Sequence, residues 1–371
     1  RHTRLCKLSR GLGDVYKRQE CVVLKVVMME ILLPIALILA GFYVGWNIGA
    51  NDAANCIGTT VGAQIISYRK AVGIMALFVI LGGILQGHHV MKTVGKGIVI
   101  SEASVYEEYN KKPAGPAFYE LFPDNRLPDK AILVALLSAG LFVTLATFSS
   151  VPVSTSQAIV GGVAGTGIGI VGMQASYFKL AVLLKIFGAW IISPVLTMTM
   201  AFVFYLALGR IMKGRNLLTW SRVLSIAVVV SAAYVSYSLG ANDVGNAIGP
   251  LLSKFPDKGP WLALLGGVAM ATGAYTFGAR VTDTVGKSIT PMDYGGALSA
   301  QLSAAIGVHF FSMAGIPVST SQAIVGGVIG VGLTKGIQAV SLKKITTIFV
   351  GWIVTPMSAA LFAALVYSLV A

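Results

Sequence analysis

Long apolar runs alternate with short polar connectors along almost the whole chain. Five runs occupy about residues 30–56, 71–91, 131–150, 153–175 and 180–210, and five more about 223–249, 260–280, 295–314, 318–334 and 343–371. Most approach the ~20 residues that a helix needs to cross the hydrocarbon of a bilayer. The pattern therefore predicts an all-α polytopic membrane protein of 10–12 transmembrane pieces. The third and fourth runs of each half are joined only by a proline turn. They predict either two crossings or a re-entrant hairpin with its tip at mid-depth.

Composition agrees. The 371 residues are 56% hydrophobic and 11% charged, whereas a soluble domain carries about 25% charged residues. The formal charge of +14 does not point to nucleic acid, because the basic residues sit in connectors. Arg69, Lys70, Arg210, Lys213, Arg215, Arg222, Arg280, Lys287, Lys335, Lys343 and Lys344 fall after runs one, five, seven and nine. The positive-inside rule places those connectors in the cytoplasm and both termini outside a cell (inner) membrane. Residues 1–27 are set aside as a leader, disordered or non-native, because the first twenty are basic without an apolar core. Cys6, Cys21 and Cys56 form no disulfide or metal pattern, and the adjacent His88 and His89 read as a helix-end feature.

The polar residues that interrupt the apolar runs are repeated. Gly49-Ala50-Asn51-Asp52-Ala53-Ala54-Asn55 returns as Gly240-Ala241-Asn242-Asp243-Val244-Gly245-Asn246. Pro152-Val153-Ser154-Thr155-Ser156-Gln157 returns unchanged as Pro317-Val318-Ser319-Thr320-Ser321-Gln322. Between them, Thr93-Val94-Gly95-Lys96 matches Thr284-Val285-Gly286-Lys287. The first half carries 26 extra residues between the second and third landmarks, in a polar stretch read as an extramembrane loop insertion over 101–129. Residues 28–215 and 220–371 are thus two repeats. With three or five crossings per half, the second copy enters the membrane upside down.

Each motif suggests its own chemistry. Gly, Asn and Asp are poor helix-interior residues, so the first motif predicts a broken helix with freed carbonyls. Hard cations take carboxylate, amide and carbonyl oxygens, and Asn51, Asp52, Asn55, Asn242, Asp243 and Asn246 supply two of these types. The Na⁺ ligands are expected among them. In the second motif, Ser after Pro is an N-cap for the helix that follows. A helix N-terminus is a ready anion cradle, and Ser154, Thr155, Ser156, Gln157, Ser319, Thr320, Ser321 and Gln322 add donors. A single buried aspartate or serine-rich helix start would serve packing alone; two copies of both argue for a site. Neither motif contains Lys or Arg, so an anion beside Asp52 and Asp243 requires bound cations, or protons on the carboxylates. Linked binding of this kind is the basis of symport.

The doubled Gly-Ala-Asn-Asp-x-x-Asn and Pro-Val-Ser-Thr-Ser-Gln motifs resemble the inorganic phosphate transporter family. The resemblance covers nearly everything after the leader. It implies an inverted-repeat fold that carries orthophosphate with Na⁺ or H⁺, Asp52 and Asp243 lying in the ion and phosphate region and both Ser-Thr-Ser-Gln runs at phosphate. Three positions depart: Gly245 stands where the first copy has Ala54, and Lys92 and Asp283 replace a glutamate of animal members.

The expected function is a secondary active symporter, moving inorganic phosphate with Na⁺ by alternating access through a lipid bilayer. The alternatives are an H⁺-coupled phosphate or sulfate permease and, behind it, an anion channel. An enzyme is not expected, nor any cofactor beyond the coupling Na⁺. A P-loop reading of Gly286-Lys287-Ser288 fails because Val281 replaces the required glycine. A homodimer is compatible with this plan.

Overall fold

The computed structural model describes residues 28–148, 153–214, 216–279, 293–336 and 342–370. The leader, Pro152, Arg215 and the second Thr-Val-Gly-Lys landmark, with Arg280 and Asp283, lie outside the described residues. The first half begins with a π turn, Met28–Leu32, that continues as α1 (Leu33–Gly62). It goes on through α2 (Tyr68–Gln86), α3 (His88–Lys96), α4 (Ala103–Asn110), α5 (Pro116–Leu121), α6 (Asp129–Phe148), α7 (Thr155–Val171) and α8 (Leu180–Met212). The second half contains α9 (Leu217–Leu239), a π turn at Gly240–Val244, α10 (Gly245–Ile248) and a 3₁₀ turn at Gly249–Ser253. Then come α11 (Gly259–Thr276), α12 (Tyr294–Met313), α13 (Thr320–Thr334) and α14 (Leu342–Val370). Among the described residues, the only β pairing is the Val99–Phe178 bridge.

Among the described residues, six helical stretches are long and apolar enough to cross a bilayer, including Glu30–Gly62, Leu180–Met212 and Trp220–Ser253. Pro194 and Pro356 sit inside α8 and α14 without ending them, so each final apolar run is one helix and the parity of each half is kept. Large apolar side chains such as Leu184, Ile191, Ile353 and Met357 lie exposed along α8 and α14, a surface suited to hydrocarbon.

The helices that begin at Thr155 and Thr320 are shorter, 17 and 15 residues. At 1.5 Å per residue they reach only about 25 and 22 Å, less than the ~30 Å of hydrocarbon. Val153 and Val318, just before them, are buried. Each pairs with its predecessor, α6 with α7 and α12 with α13, so the geometry favours the hairpin alternative over two full crossings.

The halves interlock through repeat-equivalent contacts. A Cβ placed on Gly49 would collide with the Met270 carbonyl, and one on Gly240 with the Val79 carbonyl. Likewise Gly161 lies on the Pro356 carbonyl and Gly326 on the Pro194 carbonyl. Helices without a hydrophobic drive in lipid depend on such small-residue contacts. As a result α7 packs on α14 of the other half and α13 on α8.

Two expectations change in detail. The helix at the first Gly-Ala-Asn-Asp motif is not broken: α1 runs straight through residues 49–55. Its polar side chains find side-chain partners and Gly49 lets it cross Met270 closely, so the backbone has no cause to open. The second copy does leave α geometry, through the π turn and the 3₁₀ turn at Pro250. The insertion is also more ordered than a loop. It carries α4 and α5, with Phe118 and Phe122 buried against Tyr106 and Tyr177 at ring distances of 5.0–6.2 Å.

Candidate functional site

The four motifs meet at one place. Asp52 in α1 and Asp243 in the π turn are almost fully buried, at 1% and 0% exposure. Buried carboxylates in such surroundings need hydrogen-bonding partners, and each finds them in both halves. Asp52 Oδ2 accepts from Thr155 Oγ1 at 3.0 Å, and its Oδ1 accepts from Ser321 Oγ at 3.1 Å and Asn55 Nδ2 at 2.8 Å. Asp243 repeats the arrangement: Thr320 Oγ1 donates to Oδ2 at 2.9 Å, and Ser156 Oγ and Asn246 Nδ2 lie 2.9 and 2.8 Å from Oδ1. Each aspartate thus binds the Thr of its own half and the second Ser of the other half.

The asparagines fall into two classes. Asn55 Nδ2 also reaches Ser321 Oγ at 2.9 Å, and Asn246 Nδ2 reaches Ser156 Oγ at 2.8 Å. These two hold the crossed serines in register. Asn242 instead straps the second hairpin tip, donating to the Val318 carbonyl at 2.6 Å and accepting from the Val318 amide at 3.1 Å. Both its polar groups are occupied, which sets it apart from the expected ligand set. Among the described residues, Asn51 makes only a long 3.4 Å contact with Asp52.

The hairpin helices start as their sequence dictates. Ser154 and Ser319 are N-caps in extended conformation, accepting from the Gln157 amide at 3.3 Å and the Gln322 amide at 3.2 Å. The remaining first-turn amides have no intrahelical acceptor. Both N-termini therefore direct partial positive charge at the aspartate pair.

Not every polar atom is satisfied. Gln157 Oε1, Gln322 Oε1 and Asn246 Oδ1 are buried acceptors with no hydrogen-bond partner among the described residues. Buried unpaired carbonyl oxygens are costly, and they are the ligand type that a hard cation takes. Gln157 and Gln322 also floor an apolar groove of about 670 Å³ between α8 and α14, walled by Trp190, Pro194, Trp352 and Pro356. Trp190 Nε1 ties that wall to the second tip, donating to the Pro317 carbonyl at 3.1 Å.

Three polar clusters escaped the sequence reading. Asn47 donates to the Tyr43 carbonyl at 3.0 Å and accepts from Thr144 at 2.8 Å. Gln301, buried in α12, accepts from Ser231 at 2.7 Å and donates to the Cys56 carbonyl at 3.1 Å and to Thr59. His309 lies between Tyr234 at 2.8 Å and Gln86 at 2.5 Å. Each is a lone polar residue in an apolar run, a signal that was available but has no repeat behind it.

Comparison with known proteins places the chain in a family. The model of the phosphate transporter family matches residues 48–363, which include all four motifs. A candidate phosphate permease of Methanocaldococcus jannaschii is 30% identical, over 82% of this chain and 86% of its own length. One of Thermococcus kodakarensis is 29% identical, over 84% and 91%. A solved structure described as the sodium-dependent phosphate transporter superposes with a TM-score of 0.76 at 26% identity, covering 92% of this chain and 99% of its own. With apolar helices throughout and this match across most of its length, the chain is an integral membrane protein that belongs to the phosphate transporter family.

Proposed function

We propose that the protein is a Na⁺-coupled symporter of inorganic phosphate, working by alternating access about the Asp52–Asp243 centre in the cell membrane, with both termini outside. The observation that carries this reading is the crossed ring of hydroxyls. Thr155, Thr320 and Ser321 spend their hydroxyls on two buried carboxylates, and Ser156 Oγ sits between Asp243, at 2.9 Å, and the Val318 carbonyl, at 2.7 Å. A hydroxyl is a rotor with one proton to give. A cation settling on each carboxylate takes over that role and releases the hydroxyls toward an oxyanion at the two helix N-termini.

In this reading Asp52, Asn55, Asp243 and Asn246 hold the coupling ions, with Gln157 and Gln322 offering the unpaired amide oxygens. Ser154 and Ser319 act at one remove, as caps that hold the first turns open to the anion. The unpaired amide oxygens favour Na⁺ over H⁺, because a proton needs only the carboxylate. The solved relative's description as sodium-dependent supports the same choice.

The test is uptake of labelled phosphate into proteoliposomes under an imposed Na⁺ gradient, repeated with a pH gradient and with sulfate as competitor. Accumulation driven by Na⁺ and resistant to sulfate is expected. Uptake that ignores Na⁺ and follows the pH gradient would replace this reading with H⁺ coupling.

A further inference from the structure

The first Thr-Val-Gly-Lys landmark and the insertion have no part in the central site, yet they are built together. Lys96 ends α3, and the chain then passes through residues 98–101, which pair with 177–179. The Ile100 amide donates to the Tyr177 carbonyl at 2.8 Å and the Lys179 amide to the Ile98 carbonyl at 3.1 Å. Between these segments lies a cavity of about 240 Å³ lined by Lys96, Ile100, Ser101, Glu102, Val105 and Lys179. It touches the transport core through Gly167 of α7, which abuts Val99 and Phe178, and beside Lys96 through Gly95, which lies on the Gly249 carbonyl. Gly167 is twelve residues beyond Thr155, about 18 Å along that helix, and none of the residues lining the cavity belongs to the four motifs.

We propose that this cavity binds a phosphate-type oxyanion and receives it ahead of the central site; the inference rests on the phosphate-transport reading above. Three features point to an anion. Lys179 has no carboxylate partner among the described residues, and its ammonium meets only the Lys96 carbonyl, at 3.3 Å. Ser101 is 6% exposed, and its hydroxyl has no hydrogen bond among the described residues. Lys96 is held by Glu102 at 2.9 Å, so a carboxylate already occupies part of the anion position. Two ammonium groups and one carboxylate leave a net positive cavity with an idle hydroxyl donor. The second half lacks the 26-residue insertion that supplies Ser101, Glu102 and Val105. An oxyanion entering the cavity bonds Lys179 and Ser101 and competes with Glu102 for Lys96.

That competition gives opposite signs for two substitutions. In phosphate uptake by proteoliposomes, Lys179→Gln is expected to raise KM about three- to fivefold with maximal rate unchanged, the scale of one partly screened charge contact. Ser101→Ala is expected to move KM the same way, and Glu102→Gln to lower it. Vesicles of phosphatidylcholine alone, compared with vesicles containing phosphatidylglycerol, separate free orthophosphate from a lipid headgroup as the source of the phosphate group. KM shifts present in both lipids assign the cavity to orthophosphate; shifts confined to phosphatidylglycerol assign the anion site to the headgroup and overturn its place ahead of the central site. Wild-type uptake with KM unchanged in all three variants, in both lipids, overturns the proposal. Absence of uptake by the wild type would instead bring down the transport reading, and this inference with it.

Discussion

Ser156 and Asp243 belong to opposite halves of the repeat, yet their side chains meet at 2.9 Å. The equivalent pair, Ser321 and Asp52, meets at 3.1 Å. Neither carboxylate is completed by its own half. The two motifs of each repeat form one site because the hairpin of one half crosses to the aspartate of the other, and the reciprocal contact forces both hairpin tips to the same point.

Asp52→Asn and Asp243→Asn are expected to reduce coupled phosphate uptake to background while leaving a folded protein. Asparagine keeps the shape and most hydrogen bonds but loses the charge that holds a cation. Uptake in proteoliposomes, with size-exclusion profiles as the folding control, checks this. Wild-type transport by either variant would contradict the assigned role.

The crossed bonds are expected to be energetically coupled. Ser156→Ala and Asp243→Asn should each destabilise the protein by about 1–3 kcal/mol, the range for a hydrogen bond to a buried charge. The double variant should cost less than the two together, since one removes and the other weakens the same contact. Thermal unfolding in detergent measures all three. Simple additivity would show that the serine and the aspartate act independently.

Much of this site was legible in the sequence because it is written twice. The repeat named Asp52, Asp243 and both Ser-Thr-Ser-Gln runs, and the cap role of Ser154 and Ser319 followed from local helix chemistry. Which serine meets which aspartate was not legible, because that depends on how two hairpins cross in space. The backbone of the first motif was misjudged for a related reason. Helix propensity disfavours Gly, Asn and Asp, but tertiary contacts override it: Asn55 is held by Asp52 and Ser321, and Gly49 is needed small. Gln301 stayed hidden because its equivalent in the first half is Leu136.

That asymmetry is itself testable. Gln301→Leu installs the residue of the other half and removes the bonds to Ser231, the Cys56 carbonyl and Thr59, while the Ser231 hydroxyl keeps the Val228 carbonyl at 2.9 Å. A loss of about 1 kcal/mol is expected from the lost hydrogen bonds, read as a lower unfolding temperature. An unchanged temperature would mean that the cluster contributes no net stability.

The interlocking glycines predict a contrast within one residue type. Gly161→Ala and Gly326→Ala place a methyl against the Pro356 and Pro194 carbonyls and should cost about 1–3 kcal/mol or more, as overpacking does. Gly188→Ala on α8 meets nothing within 4 Å and should fold and transport like the wild type. Yield of monodisperse protein and unfolding temperature separate the two cases; equal tolerance at all three positions would contradict the close crossing of α7 on α14 and α13 on α8.

The central claim is that cations on Asp52 and Asp243 make room for the anion, and linkage requires the effect to be mutual. The direct measurement is phosphate affinity of the purified protein titrated across Na⁺ concentrations, paired with Na⁺ affinity titrated across phosphate. The account predicts that each ligand tightens the other by the same factor, and that Asp243→Asn removes both effects. Phosphate binding of equal strength when choline replaces Na⁺ would contradict it.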